Sequence, residues 1–179
     1  INGGKIEIAI CAIKTFRPIE EDNGTPMQNY TGGIVQADGA IFKNNRTAVH
    51  FLGYNQSNIS SFQECTFETT ESLKDNSVPD YFIKLEGVTS IPFYGCSFEN
   101  KITPGSIQVE DRGSGIYAIN SDIILLPLCT QSINPCPEID YQRNLFKNLY
   151  RGVYGLSTGP GKMVSIDRTD FETNYRGLY

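Results

Sequence analysis

The constraint that bears hardest on this chain is a short pattern that recurs along it. GAIFKNN (39–45), ECTFETT (64–70), GCSFENK (95–101), RNLFKNL (143–149) and RTDFETN (168–174) each set a phenylalanine two positions after a small or polar residue and two before Asn or Thr. The anchors Phe42, Phe67, Phe98, Phe146 and Phe171 lie 25, 31, 48 and 25 residues apart, so a 25-residue unit with insertions of 6 and 23 spans every gap. Ile13, 29 residues before Phe42, serves as an earlier anchor and makes six units. A fixed period of this length marks units that cannot bury an inner face alone and must stack on their neighbours.

Other columns support the register. Five positions before the anchors stand Ile8, Ala37, Phe62, Phe93, Tyr141 and Ile166; seven before them stand Ile6, Val35, Ser60, Ile91, Ile139 and Val164. With the anchors these make 18 positions, of which only Ser60 is not apolar, where a chain 39% apolar would give about 7 by chance. Two positions before the anchors, Cys11, Ala40, Cys65, Cys96, Asn144 and Thr169 are small, as a tightly stacked interior column requires. Two after them, Thr15, Asn44, Thr69, Asn100, Asn148 and Thr173 read as side chains that hydrogen-bond up and down a stack. A second short strand follows at Ala48-Val49, Gly152-Val153 and Gly177-Leu178, with Phe82-Ile83 and Gly115-Ile116 as the same element displaced by insertions.

Such units, carrying two or three short strands and no helical periodicity, fit an all-β parallel β-helix. It is a solenoid of about six coils that takes in residues 1–179 as one domain. Its coils would stack at the ordinary interstrand spacing of roughly 4.8 Å. An antiparallel sandwich, the competing all-β reading, predicts no identity within a column.

The run YFIKLEGVTSIPFYGCSFEN, then EDRGSGIYAINSDI, then a short Cys-bounded stretch, then NLFKNLYRGVYGLS resembles large secreted proteins of Bacteroidetes. The resemblance covers roughly residues 34–179. It implies right-handed parallel β-helix repeats, export to the cell surface or medium by a type IX route, and an adhesin-like or surface-structural role. It also implies that the chain is an internal slice whose partners include further β-helix coils of the same parent chain. The opening at Ile1, in what reads as mid-domain sequence, agrees with that expectation.

Charge and hydropathy exclude other classes. A net charge of −5 argues against a nucleic-acid partner, which calls for a basic face. No apolar run approaches the ~20 residues of a membrane span, and the densest, Ile123 to Leu128, contains Pro127. Tyr and Phe number ten each, too many for a disordered chain.

The five cysteines divide in two. Cys11, Cys65 and Cys96 fall in the small interior column, where parallel stacking aims thiols the same way and leaves them reduced and buried. Cys129 and Cys136 bracket TQSINP among Pro127, Pro135 and Pro137, and a disulfide there staples an insertion read as about 101–137. It fits an oxidising compartment.

Chemistry is sparse. A glycosidase needs two carboxylates converging on one bond, and a calcium-dependent lyase needs a carboxylate cluster with a base. The column just after the anchors reads Lys14, Lys43, Glu68, Glu99, Lys147 and Glu172, a solvated charge ladder in which Glu68 and Glu99 are weak calcium candidates. Asp38 and Asp167, four before their anchors, are separated by Gln63, Tyr94 and Gln142. Glu110-Asp111-Arg112 reads as a salt bridge tying down the insertion, and His50 as an outward residue with no triad partner. The glycine pairs at 3–4 and 32–33 precede strands, not helices, so they are not phosphate loops. Asn45-Arg46-Thr47 and Asn58-Ile59-Ser60 match the glycosylation sequon. Tyr117, Tyr150, Tyr154 and Tyr175 flank the second strand, where exposed rings either bind sugars or cover loop bases. The residues therefore point to a non-catalytic structural or adhesin-like segment with no catalytic set and no cofactor, whose partners are polysaccharide or cell-surface components. The alternative is a carbohydrate-active enzyme with its site in the insertion or on other coils.

Overall fold

Strands of three to six residues, too short to bury a face alone, are assembled here into parallel sheets. The computed structural model describes residues 1–15, 34–53, 60–73, 77–89, 91–103, 105–132, 134–157 and 161–179. Gly32, Gly33, Asn58 and Ile59, singled out above, lie outside the described residues. The first sheet is β1 (Lys5–Glu7), β4 (Ile41–Lys43), β7 (Thr66–Thr69), β10 (Ser97–Asn100), β15 (Asn144–Lys147) and β18 (Thr169–Glu172), in that spatial order. The second is β2 (Cys11–Lys14), β5 (Thr47–Leu52), β8 (Tyr81–Glu86), β11 (Ser114–Ile119), β16 (Arg151–Leu156) and β19 (Arg176–Leu178). The third is β3 (Gln36–Asp38), β6 (Ser61–Gln63), β9 (Pro92–Tyr94), β12 (Ile123–Leu126) and β17 (Val164–Ile166). Each repeat thus adds one strand to each sheet in turn. A two-stranded antiparallel ribbon, β13 (Leu128–Cys129) with β14 (Tyr141–Gln142), stands apart.

Because pairing is parallel and in register, like residues lie above like. Phe42, Phe67, Phe98, Phe146 and Phe171 form one file in the first sheet. Neighbouring rings stack at 4.7, 4.8, 4.5 and 5.2 Å, and the first three pairs lie within 5° of coplanar. Phe62 and Phe93 make a second file from the third sheet, stacked at 5.2 Å and meeting the first edge-on, as between Phe42 and Phe62 at 6.3 Å and 64°. Val49, Ile83, Ile116, Val153 and Leu178 supply the file of the second sheet. Burying each phenylalanine is worth about 1.5–3 kcal/mol, and ring pairing adds roughly 0.5–1.5.

The turns explain two polar columns. Gly39 and Gly95 hold φ of 58° and 56° at the corner between the third and first sheets, where Glu64 and Arg168 adopt the same left-handed backbone. Asn44, Asn148 and Thr173 do so at the corner leaving the first sheet, and Asn tolerates that region better than most residues. These amides do not bond to one another. Asn44 Oδ1 accepts from the Thr70 amide, and Asn148 Nδ2 donates to the Asn100 carbonyl at 2.6 Å, so side chains satisfy the backbone of adjoining repeats.

Several register assignments need correction. Ile6, not Ile13, stands beneath Phe42; Ile13 pairs with Val49 in the second sheet. Cys11 pairs with Thr47 there, so it is outside the small column, and Thr15 follows the same strand. In the fifth repeat the chain leaves the third sheet after Leu126 and rejoins the first only at Asn144. Ile123 and Leu125 therefore occupy the columns assigned to Ile139 and Tyr141; Tyr141 lies in the ribbon and Ile139 is 92% exposed. The single insertion 101–137 is in fact two excursions, 101–113 and 127–143, separated by β11 and β12. The second carries the Cys129–Cys136 disulfide and is pinned by Gln142 Nε2 donating to the Gly95 carbonyl at 2.8 Å.

Two expectations follow from this packing. Phe67→Ala or Phe98→Ala should lower stability in urea unfolding by about 3–5 kcal/mol, whereas Glu68→Ala on the outer face should cost no more than about 1. Replacing both Cys129 and Cys136 by serine should cost about 2–3 kcal/mol and direct limited proteolysis to the second excursion before any strand is cut.

Candidate functional site

The outer column of the first sheet reads Glu7, Lys43, Glu68, Glu99, Lys147 and Glu172 in register; Lys14 belongs beside His50 in the second sheet. Glu68 and Glu99 are direct neighbours, and like charges placed so are unfavourable. Lys101 resolves the conflict, with Nζ 2.6 Å from Glu68 and 3.7 Å from Glu99. Lys43 reaches Glu68 at 3.9 Å, and Lys147 reaches Glu172 at 3.1 Å. The ammonium thus holds the place a calcium ion would take between the two candidates. Among the described residues no group of three or more His, Cys, Asp or Glu gathers as metal ligands do.

The remaining sequence candidates are dispersed. Asp38, Gln63 and Tyr94 share a column with Leu126, not Gln142, and Asp167 at its far end pairs with Arg168 at 2.8 Å. Glu110-Asp111-Arg112 forms a short 3-10 turn held by Asn100 Nδ2 donating to the Arg112 carbonyl, and no ion pair to Arg112 occurs among the described residues. His50 sits 2.7 Å from Glu86, which also takes Lys84 at 2.9 Å. Burial opposes ionisation of Glu86, but the hydrogen bonds from Lys84 and His50 prevail and hold its carboxyl below the usual range. Cys65 and Cys96 are buried free thiols; burial pushes Cys96 well up, whereas the hydrogen bond from Cys96 draws Cys65 below the ordinary thiol value. A shallow, largely apolar cleft of about 260 Å³ between Ile8, Ile10, Asn44, Arg46 and Leu73 is lined by no carboxylate among the described residues.

The second sheet presents a different outer face. Tyr117 and Tyr154 are register partners stacked at 5.0 Å and 3°, and Tyr154 stacks on Tyr179 at 5.2 Å. Tyr81 extends this track, 4.6 Å from Tyr117, and burial raises its hydroxyl pKa with help from Tyr117 and Asp80. A second track, Tyr150 on Tyr175 at 5.6 Å, runs beside it. Between the tracks lie Arg151 and Arg176, paired in register. The Arg151 guanidinium lies 4.7 Å from the Tyr150 ring and 4.8 Å from Tyr154; Arg176 lies 4.5 Å from Tyr179 and 5.7 Å from Tyr175. No carboxylate pairs with either arginine among the described residues.

Sequence reasoning had marked Tyr117, Tyr150, Tyr154 and Tyr175 but missed Tyr81, Tyr179 and both arginines. The signal was present: YRGVY (150–154) recurs 25 residues on as YRGLY (175–179). Lys101 was missed because it lies beyond the strand and reaches back to the column.

Comparison with protein-family models, with curated proteins and with solved structures returned no match.

The Lys101 contacts make a pH-dependent contribution of known sign. Its hydrogen bond to Glu68 raises its pKa, so its stabilisation is complete below the ordinary lysine range and is lost as pH climbs through the raised folded value. Lys101→Met should cost about 1 kcal/mol near neutral pH, less in high salt, and should flatten the alkaline fall in stability measured by urea titration.

Proposed function

We propose that this chain is a non-catalytic, structural or adhesin-like segment of a right-handed parallel β-helix, carried by a secreted or cell-surface protein of the Bacteroidetes type it resembles. The observation that carries the reading is an interior file of stacked phenylalanines combined with outer carboxylates committed to cations. Each repeat feeds the three sheets in the same order, as successive coils of a solenoid do. Strands at the outer positions of the stack leave apolar side chains in solvent, among them Val164 at 49% and Leu178 at 58%, whose register partners Ile123 and Val153 are buried. Further coils would cover them, which supports an internal place in a longer rod. The Cys129–Cys136 disulfide supports an oxidising, extracellular location, and among the described residues no helix is long and apolar enough to cross a membrane.

A glycoside hydrolase needs two carboxylates free to share one bond, and a calcium-dependent polysaccharide lyase needs a carboxylate cluster with a base. Glu68 and Glu99, the adjacent pair, face Lys101 instead. Incubating the protein with uronic-acid polymers should release no unsaturated products. Release that Glu68→Gln or Glu99→Gln abolishes would overturn the non-catalytic reading.

A further inference from the structure

In-register stacking forces like charges together, and elsewhere on this surface a third residue of opposite sign settles the conflict. Lys101 sits between Glu68 and Glu99, and Glu138 between Arg143 at 2.8 Å and Arg168 at 2.9 Å. Arg151 and Arg176 are the exception: two guanidinium groups on adjacent strands of one sheet, with no carboxylate paired to either among the described residues. Arg151 Nε is buried without a hydrogen-bond acceptor, and the guanidinium lies against the rings of Tyr150 and Tyr154. Stacking on a ring fixes the plane of a guanidinium and leaves its edge donors free for a planar anion.

We infer that this face binds a linear acidic polysaccharide, with its carboxylates on Arg151 and Arg176 and its sugar rings against the tyrosine tracks. The inference rests on the adhesin-like reading and names the ligand class of that surface. Tyr175 and Tyr179, each 58% exposed, offer apolar faces of the kind that C–H-rich faces of sugar rings cover. The track runs along the stacking direction with centroids 4.6 to 5.2 Å apart, and the last two repeats each set an arginine beside one of its tyrosines, so an extended chain meets the same pair of groups twice in succession. The duplication of YRGVY as YRGLY reproduces the outward Tyr and Arg as well as the inward Gly, although interior packing places no demand on the outward residues. Nucleic acid also combines stacking with negative charge, but it calls for a long basic groove, and this chain carries −5. An anion every sugar residue, met by two arginines, suits a uronate polymer better.

Affinity electrophoresis of the full chain through gels containing polygalacturonate tests this. Wild-type protein should be retarded by polygalacturonate and not by neutral hydroxyethylcellulose, and salt should weaken the effect. Arg151→Gln and Arg176→Gln should each raise the apparent Kd by about tenfold or more, as loss of a charge-assisted contact does. Tyr154→Ala should weaken binding similarly. The double variant Lys43→Gln/Lys147→Gln, which removes two positive charges from the first sheet where each arginine variant removes one, should leave binding unchanged. Circular dichroism and urea midpoints identify any variant that misfolds, and Arg176→Gln, at the outermost strand, is the substitution least able to disturb packing. Absence of retardation in the wild type, equal loss in the lysine control, equal binding of the neutral polymer, or preference for a single-stranded oligothymidylate would each overturn the inference. Shortening of the polygalacturonate during the run would overturn the non-catalytic reading alone and leave the face as a binding surface.

Discussion

Register is what everything else in this protein depends on. Parallel pairing holds each strand one interstrand spacing from the same strand of the next repeat, so any side chain that points inward must pack against its own counterpart. Phenylalanine meets that demand well, because flat rings slide over one another with little lost volume; the centroid spacings of 4.5 to 5.2 Å in the file are the strand spacing expressed in side chains. Small residues two positions earlier, Ala40, Cys65 and Cys96, keep the backbone of the corner close to the file. Asn144 continues their column at the fifth repeat only because the Cys96 amide and the carbonyls of Phe93 and Leu126 satisfy it. A buried amide without those partners would be costly.

The same rule that favours rings inside creates a problem outside, since a charged column repeats its own sign. The molecule answers with side chains borrowed from beyond the strand. Glu138, on the disulfide-bearing excursion, bridges two arginines of different strand segments and so fastens the excursion to the last repeat, while Arg168 also lies 4.5 Å from the Tyr141 ring. On the second sheet the answer is different: arginines are sheathed by tyrosine rings and their charge is left in place.

Much of this was legible because an aromatic anchor leaves a strong mark. Phe42 through Phe171, the small column and the second strand at Val49, Ile83, Ile116 and Val153 follow from periodicity alone. The errors arose where the anchor was not aromatic or the chain wandered. Ile6 and Ile13 are equally apolar, and the connection from the first strands to Phe42 has no fixed length, so spacing could not choose between them. The places of Ile123 and Leu125 are hidden from spacing, because between them and Phe146 the chain passes through β13 and β14, which lie outside the three sheets. The disulfide needed only the local arrangement of Cys129 and Cys136. The tyrosine and arginine face was half visible: rings were noticed singly, but their alignment depends on knowing that positions 117, 154 and 179 are stacked partners, and side-chain reach of the kind Lys101 uses leaves no periodic trace.

Gly115 and Gly152 carry a consequence for how such a molecule can change its length. A methyl group at Gly115 would come within 2.6 Å of the Phe146 ring and 2.4 Å of the Gly152 carbonyl, and one at Gly152 within 2.7 Å of Phe171. Yet the equivalent position on the preceding repeat is Phe82, whose ring lies 6.4 Å from both Phe67 and Phe98. Neighbouring repeats therefore divide one cross-section differently, some giving the room to this column and some to the anchor ring above it. Shuffling by whole repeats, the easy route by which genes lengthen or shorten regular arrays, is closed at this seam: the Phe82 repeat and the glycine repeats are matched pieces that can be duplicated or lost only together with the neighbour each was cut to fit.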